Sequence, residues 1–68
     1  MLLAHLEQAK RHVTKGEQLL AEQRALIAER RRDGHDVAAA EELLAQFEQT
    51  QTLHLAHLSR LTNELAKG

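Results

Sequence analysis

The chain has 68 residues with no cysteine, no proline and Phe47 as its one aromatic side chain; Ala, Leu, Glu, Gln and Arg dominate. One small domain is expected, and with disulfides excluded its stability has to come from regular helix packing, oligomerisation or a metal. The composition is that of long helices and makes no case for a sheet, while a formal net charge of −1 excludes a global field drawing the chain to nucleic acid or to an anionic membrane.

The first element predicted is a helix over about residues 2–32. Leu2, Leu6, Ala9, Val13, Gly16, Leu20, Gln23 and Ile27 recur at alternating steps of four and three, with Leu6, Val13, Leu20 and Ile27 seven apart. That is a heptad seam. At its start the longest apolar run, Met1-Leu2-Leu3-Ala4, is far short of the roughly 20 residues that cross a membrane. His5 and Glu7 interrupt a signal-peptide core, so a soluble cytoplasmic protein is the expectation.

A turn is predicted at residues 33–36, Asp33-Gly34-His35-Asp36. Arg30, Arg31 and Arg32 complement the dipole at the end of the first helix, and Gly34 suits the left-handed position that follows a helix. Asp36 is placed to cap the next helix, with Glu41 and Glu42 near its positive end. One continuous straight helix is the rival reading; it would hold Gly34 in a helix interior at a cost of about 1 kcal/mol, and the seam loses phase across Arg31 to Asp36.

The second helix is predicted over about residues 37–66, where Val37, Ala40, Leu44, Phe47, Gln51, His54, Leu58, Leu61 and Leu65 repeat the three-four rhythm. Each helix would be about 46 Å long at 1.5 Å per residue, and so short a loop makes the two antiparallel neighbours. Residues 1–34 carry seven Lys/Arg against five Asp/Glu, and residues 35–68 carry two against five. Closing the hairpin lays these unequal charge sets side by side.

The fold class is therefore all-α, an antiparallel two-helix hairpin resembling a coiled coil. Folding about the turn pairs residues whose numbers sum to about 67: Ile27 with Ala40, Gln23 with Leu44, Leu20 with Phe47, Gly16 with Gln51, Val13 with His54, Ala9 with Leu58 and Leu6 with Leu61. Two helices cover each seam residue from one side only, and ordering costs about 1.5 kcal/mol per residue, so an isolated hairpin sits near zero stability. Leu19, Leu26 and Leu43 on one flank of the seam, with Leu3 and Leu55 on the other, widen the stripe as bundle helices do. These five are the candidate interface. A homodimer forming an antiparallel four-helix bundle is the economical solution; an α-helical protein partner and a trimer of hairpins are the alternatives.

Five histidines are the least ordinary feature. His12, His54 and His57 fall near one layer and could offer imidazoles to zinc or a similar divalent ion, with His5 and Glu64 one heptad away. The bland alternative makes His12 and His57 flanking polar residues and His54 a partly buried residue that sets the register. No signature spacing asks for a metal, the Glu-x-x-His of a di-iron bundle is missing because Gln51 stands three before His54, and nothing calls for haem. No cofactor is therefore assigned. Protonation near pH 6 at this layer gives a second reading, a pH-responsive bundle. Gln23, Gln51 and Gly16 mark the middle of the seam as its weakest-packed zone, and glutamine in a core stripe reads as a register device or a solvated gap.

Arg30, Arg31 and Arg32, with Arg24 nearby, form the one basic cluster and the candidate phosphate contact. Dipole complementation explains the same residues without a ligand, and base-stacking aromatics are missing. Catalysis is not expected: there is no cysteine nucleophile, no Gly-x-Ser-x-Gly elbow, no phosphate-cradling glycine loop and no His-Glu-x-x-His helix.

Over HVTKGEQLLAEQRALIAE and RRDGHDVAAAEELLAQFEQTQTLHLAH, the chain resembles a group of small uncharacterised helical-hairpin proteins of soil and plant-associated alphaproteobacteria. The Asp-Gly-His-Asp turn and the helix after it are the most specific part. The resemblance implies a bacterial cytoplasmic origin and supplies no activity or functional residues. In architecture alone the chain is similar to the plasmid-copy-control RNA-binding protein Rop, a fold analogy that carries no residue motif. The function expected is a non-enzymatic oligomerisation or protein-interaction module, with a histidine-based bundle and a Rop-like RNA binder as alternatives.

Overall fold

The computed structural model describes residues 2–67, which form two helices and, among the described residues, no strand. Helix α1 runs Leu2–Arg32 and helix α2 Ala38–Lys67. At 1.5 Å per residue each is about 45 Å long, and the molecule measures 54 × 14 × 14 Å. Those dimensions leave room only for two helices side by side, and the chain reversal between them makes the pair antiparallel. The continuous-helix reading is thereby excluded.

The reversal is built by backbone hydrogen bonds that the local sequence permits. His35 N donates to Arg30 O at 3.0 Å and Gly34 N to Arg31 O at 3.1 Å, with Gly34 at φ 79°. This pair of bonds is the Schellman arrangement, which needs a left-handed residue after the cap and so favours glycine. Ala38 N then donates to Asp36 Oδ1 at 3.0 Å, satisfying one of the orphan amides of α2. Glu41 N donates to Val37 O at 2.8 Å and closes the first turn. Helix α2 consequently begins at Ala38 and ends at Lys67, each one residue later than its heptad pattern suggests.

The seam is the core. Leu6, Ala9, Val13, Leu20, Gln23 and Ile27 of α1 and Gln51 and Leu61 of α2 are buried; Leu2, Gly16, Val37, Ala40, Leu44, Phe47, His54 and Leu58 are half-buried. Leu6, Ala9 and Leu61 form a cluster against which Leu2 and Leu58 pack, joining the layers whose numbers sum to 67. Leu65 departs from the pattern at 37% exposed, because the last layer has a neighbouring layer on one side only.

Two glutamines tie the seam where leucines would leave it free to slide. Gln23 Nε2 donates to Ala40 O at 3.0 Å and Gln51 Nε2 to Val13 O at 2.9 Å, each reaching the backbone of the opposite helix. A helical carbonyl keeps a second lone pair for such a donor, and each bond contributes on the order of 1 kcal/mol net. The middle of the seam is therefore pinned in register, the role of a register device and not of a solvated gap.

Candidate functional site

The seam positions are a and d of a heptad, so the positions beside them, e and g, border the two open edges of the hairpin. One edge carries His5, His12, Leu19 and Leu26 from α1 with Leu43, Thr50, His57 and Glu64 from α2. The other carries Leu3, Lys10, Glu17, Arg24 and Arg31 with Glu41, Glu48, Leu55 and Thr62.

The second edge is laced by charge. Arg31 meets Glu41 at 3.1 Å and Arg24 meets Glu48 at 3.5 Å, and among the described residues these are the cross-helix ion pairs. All four side chains are about half or more exposed, so each pair contributes less than about 1 kcal/mol. Their geometry nonetheless commits Arg24 and Arg31 to intramolecular carboxylates. Of the arginine cluster expected to meet phosphate, Arg30 and Arg32 alone lie outside these pairs, and all three tip arginines are exposed. Leu3 and Leu55 are exposed on this ion-paired edge.

The first edge is built differently. Leu19 is half-buried, Leu26 is 37% exposed and Leu43 is 41% exposed. Beside them a dent of about 110 Å³ is lined by His12, Lys15, Gly16, Leu19, Phe47, Thr50, Gln51 and His54. The space a side chain would take at Gly16 is filled by the Gln51 amide. A Cβ at Gly16 would run into the Gln51 amide and lie 2.7 Å from its Cδ.

The same glycine lets Gln51 organise its neighbours. The Val13 carbonyl can only accept, so the Gln51 amide nitrogen must face it and Oε1 must face the other way, toward His54 Nδ1 at 3.4 Å. Oε1 can itself only accept, so in the tautomer that carries its proton on Nδ1 His54 donates to Gln51 and keeps its Nε2 lone pair available. The His12 ring lies beside it, with centroids 5.4 Å apart and planes inclined by 37°.

The structure thus joins His12 to His54 and leaves out His57. His57 is exposed and carried toward the open end of the hairpin, and no group of three His, Cys, Asp or Glu side chains able to hold a metal forms among the described residues. The expectation of three converging imidazoles within one chain is corrected to a pair. The reason is helical geometry: three residues advance the chain by about 300°, which turns His57 off the seam position that His54 occupies.

Sequence reasoning missed the bond from Gln51 to Val13 and its consequence for His54. The signal was present in Gly16 opposite Gln51, a missing side chain facing a long one. It also passed over Leu53, which is 67% exposed on the outer surface of α2; a solitary exposed leucine is ordinary.

Among the described residues no helix is long and apolar enough to cross a membrane. Compared with known protein families, curated proteins and solved structures, the chain has no match.

Proposed function

We propose that this chain is a non-enzymatic self-association module whose hairpin dimerises into a four-helix bundle through the edge carrying Leu19, Leu26 and Leu43. The observation that supports it is the unfinished burial along that edge. No described side chain in the hairpin is covered completely, and even Ala9, the best-covered core residue, keeps 3% of its surface. Leu26 and Leu43 stand beside that core with more than a third of their surface in water. A second hairpin laid on this edge would cover them and the dent together, returning roughly 25 cal/mol for each Å² of apolar surface removed from water.

The distribution of residues along the edge favours one geometry. Leu19, Leu26 and Leu43 occupy its half nearer the turn, whereas His5, His12 and His57 occupy the half nearer the open end. A two-fold axis along the hairpin sets leucines on leucines and places both turns at one end. Each helix then has antiparallel neighbours on both sides, which aligns the helix dipoles favourably. Leu3 and Leu55 belong to the outer rim in this arrangement, with the ion pairs.

The function follows from assembly: polar outer faces of the bundle are held at fixed spacing for display to a partner, in the bacterial cytoplasm that the resemblance implies. The test is the pair Leu26→Glu with Leu43→Glu, measured by sedimentation. The reading requires the dimer to fall to monomer; an unchanged dimer mass would sink this interface, and a wild-type monomer would assign the edge to an α-helical partner instead. An RNA-binding role is the weaker reading, since two of the four arginines it would use are engaged with Glu41 and Glu48.

A further inference from the structure

The half of the first edge nearer the open end carries no leucine to match Leu19, Leu26 and Leu43. It carries the His12–His54 pair instead, and the spacing of the two rings is compatible with ligands of one ion. With a metal–nitrogen distance of about 2.0–2.1 Å and each ring centre roughly 1 Å beyond its nitrogen, two imidazoles on one tetrahedral ion have centres about 5 Å apart. The observed separation is 5.4 Å.

His54 is also prepared as a ligand. Its Nδ1 lies 3.4 Å from Gln51 Oε1, which accepts from the Nδ1–H tautomer, while the Gln51 nitrogen is held by the Val13 carbonyl. A ligating histidine is usually fixed in this way, its second nitrogen donating to an acceptor that sets tautomer and ring orientation. Gly16 leaves the space in which Gln51 does so. Gln51 is in this sense a positioning residue.

One hairpin supplies only two nitrogens, and a closed tetrahedral site takes four. In the dimer proposed above, on which this inference rests, a two-fold axis along the hairpin brings the pair of one copy level with the pair of the other. We propose that His12 and His54 form half of a four-imidazole site for a borderline divalent metal ion such as zinc, completed on the dimer axis by the same two side chains of a second copy. The lining of the dent has no carboxylate, which disfavours calcium and magnesium and suits an ion that prefers imidazole. Lys15, which also lines the dent, is exposed, and its long stem lets the ammonium extend into solvent.

The experiment is native mass spectrometry of the full chain, purified without a histidine tag and exposed to zinc sulfate before buffer exchange. The expected result is a dimer holding one zinc. His12→Gln and His54→Gln should each lose the zinc and keep the dimer, and His57→Gln should keep both. Circular dichroism of the variants shows that they remain helical, and the exposed position of His12 makes its variant the safer of the two. A dimer without zinc, or zinc retained in either the His12 or the His54 variant, overturns the metal site while the dimer stands. A monomer, whatever metal it carries, overturns the dimer reading and the shared site together.

Discussion

Replacing Gly16 by alanine isolates the physics of the middle of the hairpin, because two opposite effects meet at one methyl group. In a helix interior alanine is preferred over glycine by about 1 kcal/mol, so a substitution with room for its Cβ would stabilise the protein. Here the Cβ would occupy the space of the Gln51 amide. That amide is the end of a flexible side chain, but it is 6% exposed and bonded to Val13 O, so moving it breaks this bond and the one to His54. Each is worth on the order of 1 kcal/mol, and a buried amide left without partners costs a further 1–3 kcal/mol or so. The destabilising side wins, and Gly16→Ala should lower stability by about 2–4 kcal/mol. With Gln51→Ala already in place the obstruction is gone, and the same change should raise stability by up to about 1 kcal/mol. Urea titrations followed by circular dichroism, at one fixed protein concentration because association contributes to stability, measure both arms of this cycle. If Gly16→Ala stabilises both backgrounds equally, the contact between Gly16 and Gln51 does not hold the seam together and the account of its register is wrong.

Other substitutions should separate the turn from the surface. Gly34→Ala keeps every side-chain contact but places a Cβ at φ 79°, costing about 1–2 kcal/mol in the same titration; Asp36→Ala removes the cap on Ala38 N at about 1 kcal/mol. Arg24→Ala combined with Arg31→Ala removes both cross-helix ion pairs, yet should cost less than about 2 kcal/mol in total and less at high salt, as exposed pairs do. Gln23→Leu removes a donor from Ala40 O, which still accepts its own helical bond, so stability should change by less than about 1.5 kcal/mol. A larger loss there, read by the urea midpoint, would mean that Gln23 specifies the register more strongly than Gln51 does.

Much of the fold was legible because the heptad is a direct imprint of helix geometry. The alternating steps from Leu2 to Ile27 and from Val37 to Leu61 mark the residues that are buried or half-buried, and Gly34 with Asp36 marks the reversal because each residue type answers a specific backbone need. The central polar residues were harder to read. Sequence spacing gives the layer in which Gln51 lies, but the reach of its amide to Val13 depends on the axial offset between two helices and on the space left by Gly16. The histidines show the same limit: spacing placed His12, His54 and His57 near one layer, and only the helical advance along α2 decided that His54 lies beside His12 while His57, on the same edge, sits nearer the open end. The turn arginines read as one basic cluster until cross-helix distances divided it, committing Arg31 to Glu41.

The claim that the edge of Leu19, Leu26 and Leu43 is closed by a second copy is tested most directly by sedimentation equilibrium of the untagged chain across a range of concentrations, beside the Leu26→Glu, Leu43→Glu variant. The account predicts twice the chain mass for the wild type and a concentration-dependent fall to the 7.7 kDa monomer for the variant. A wild type that sediments as a stable helical monomer at every concentration would contradict it.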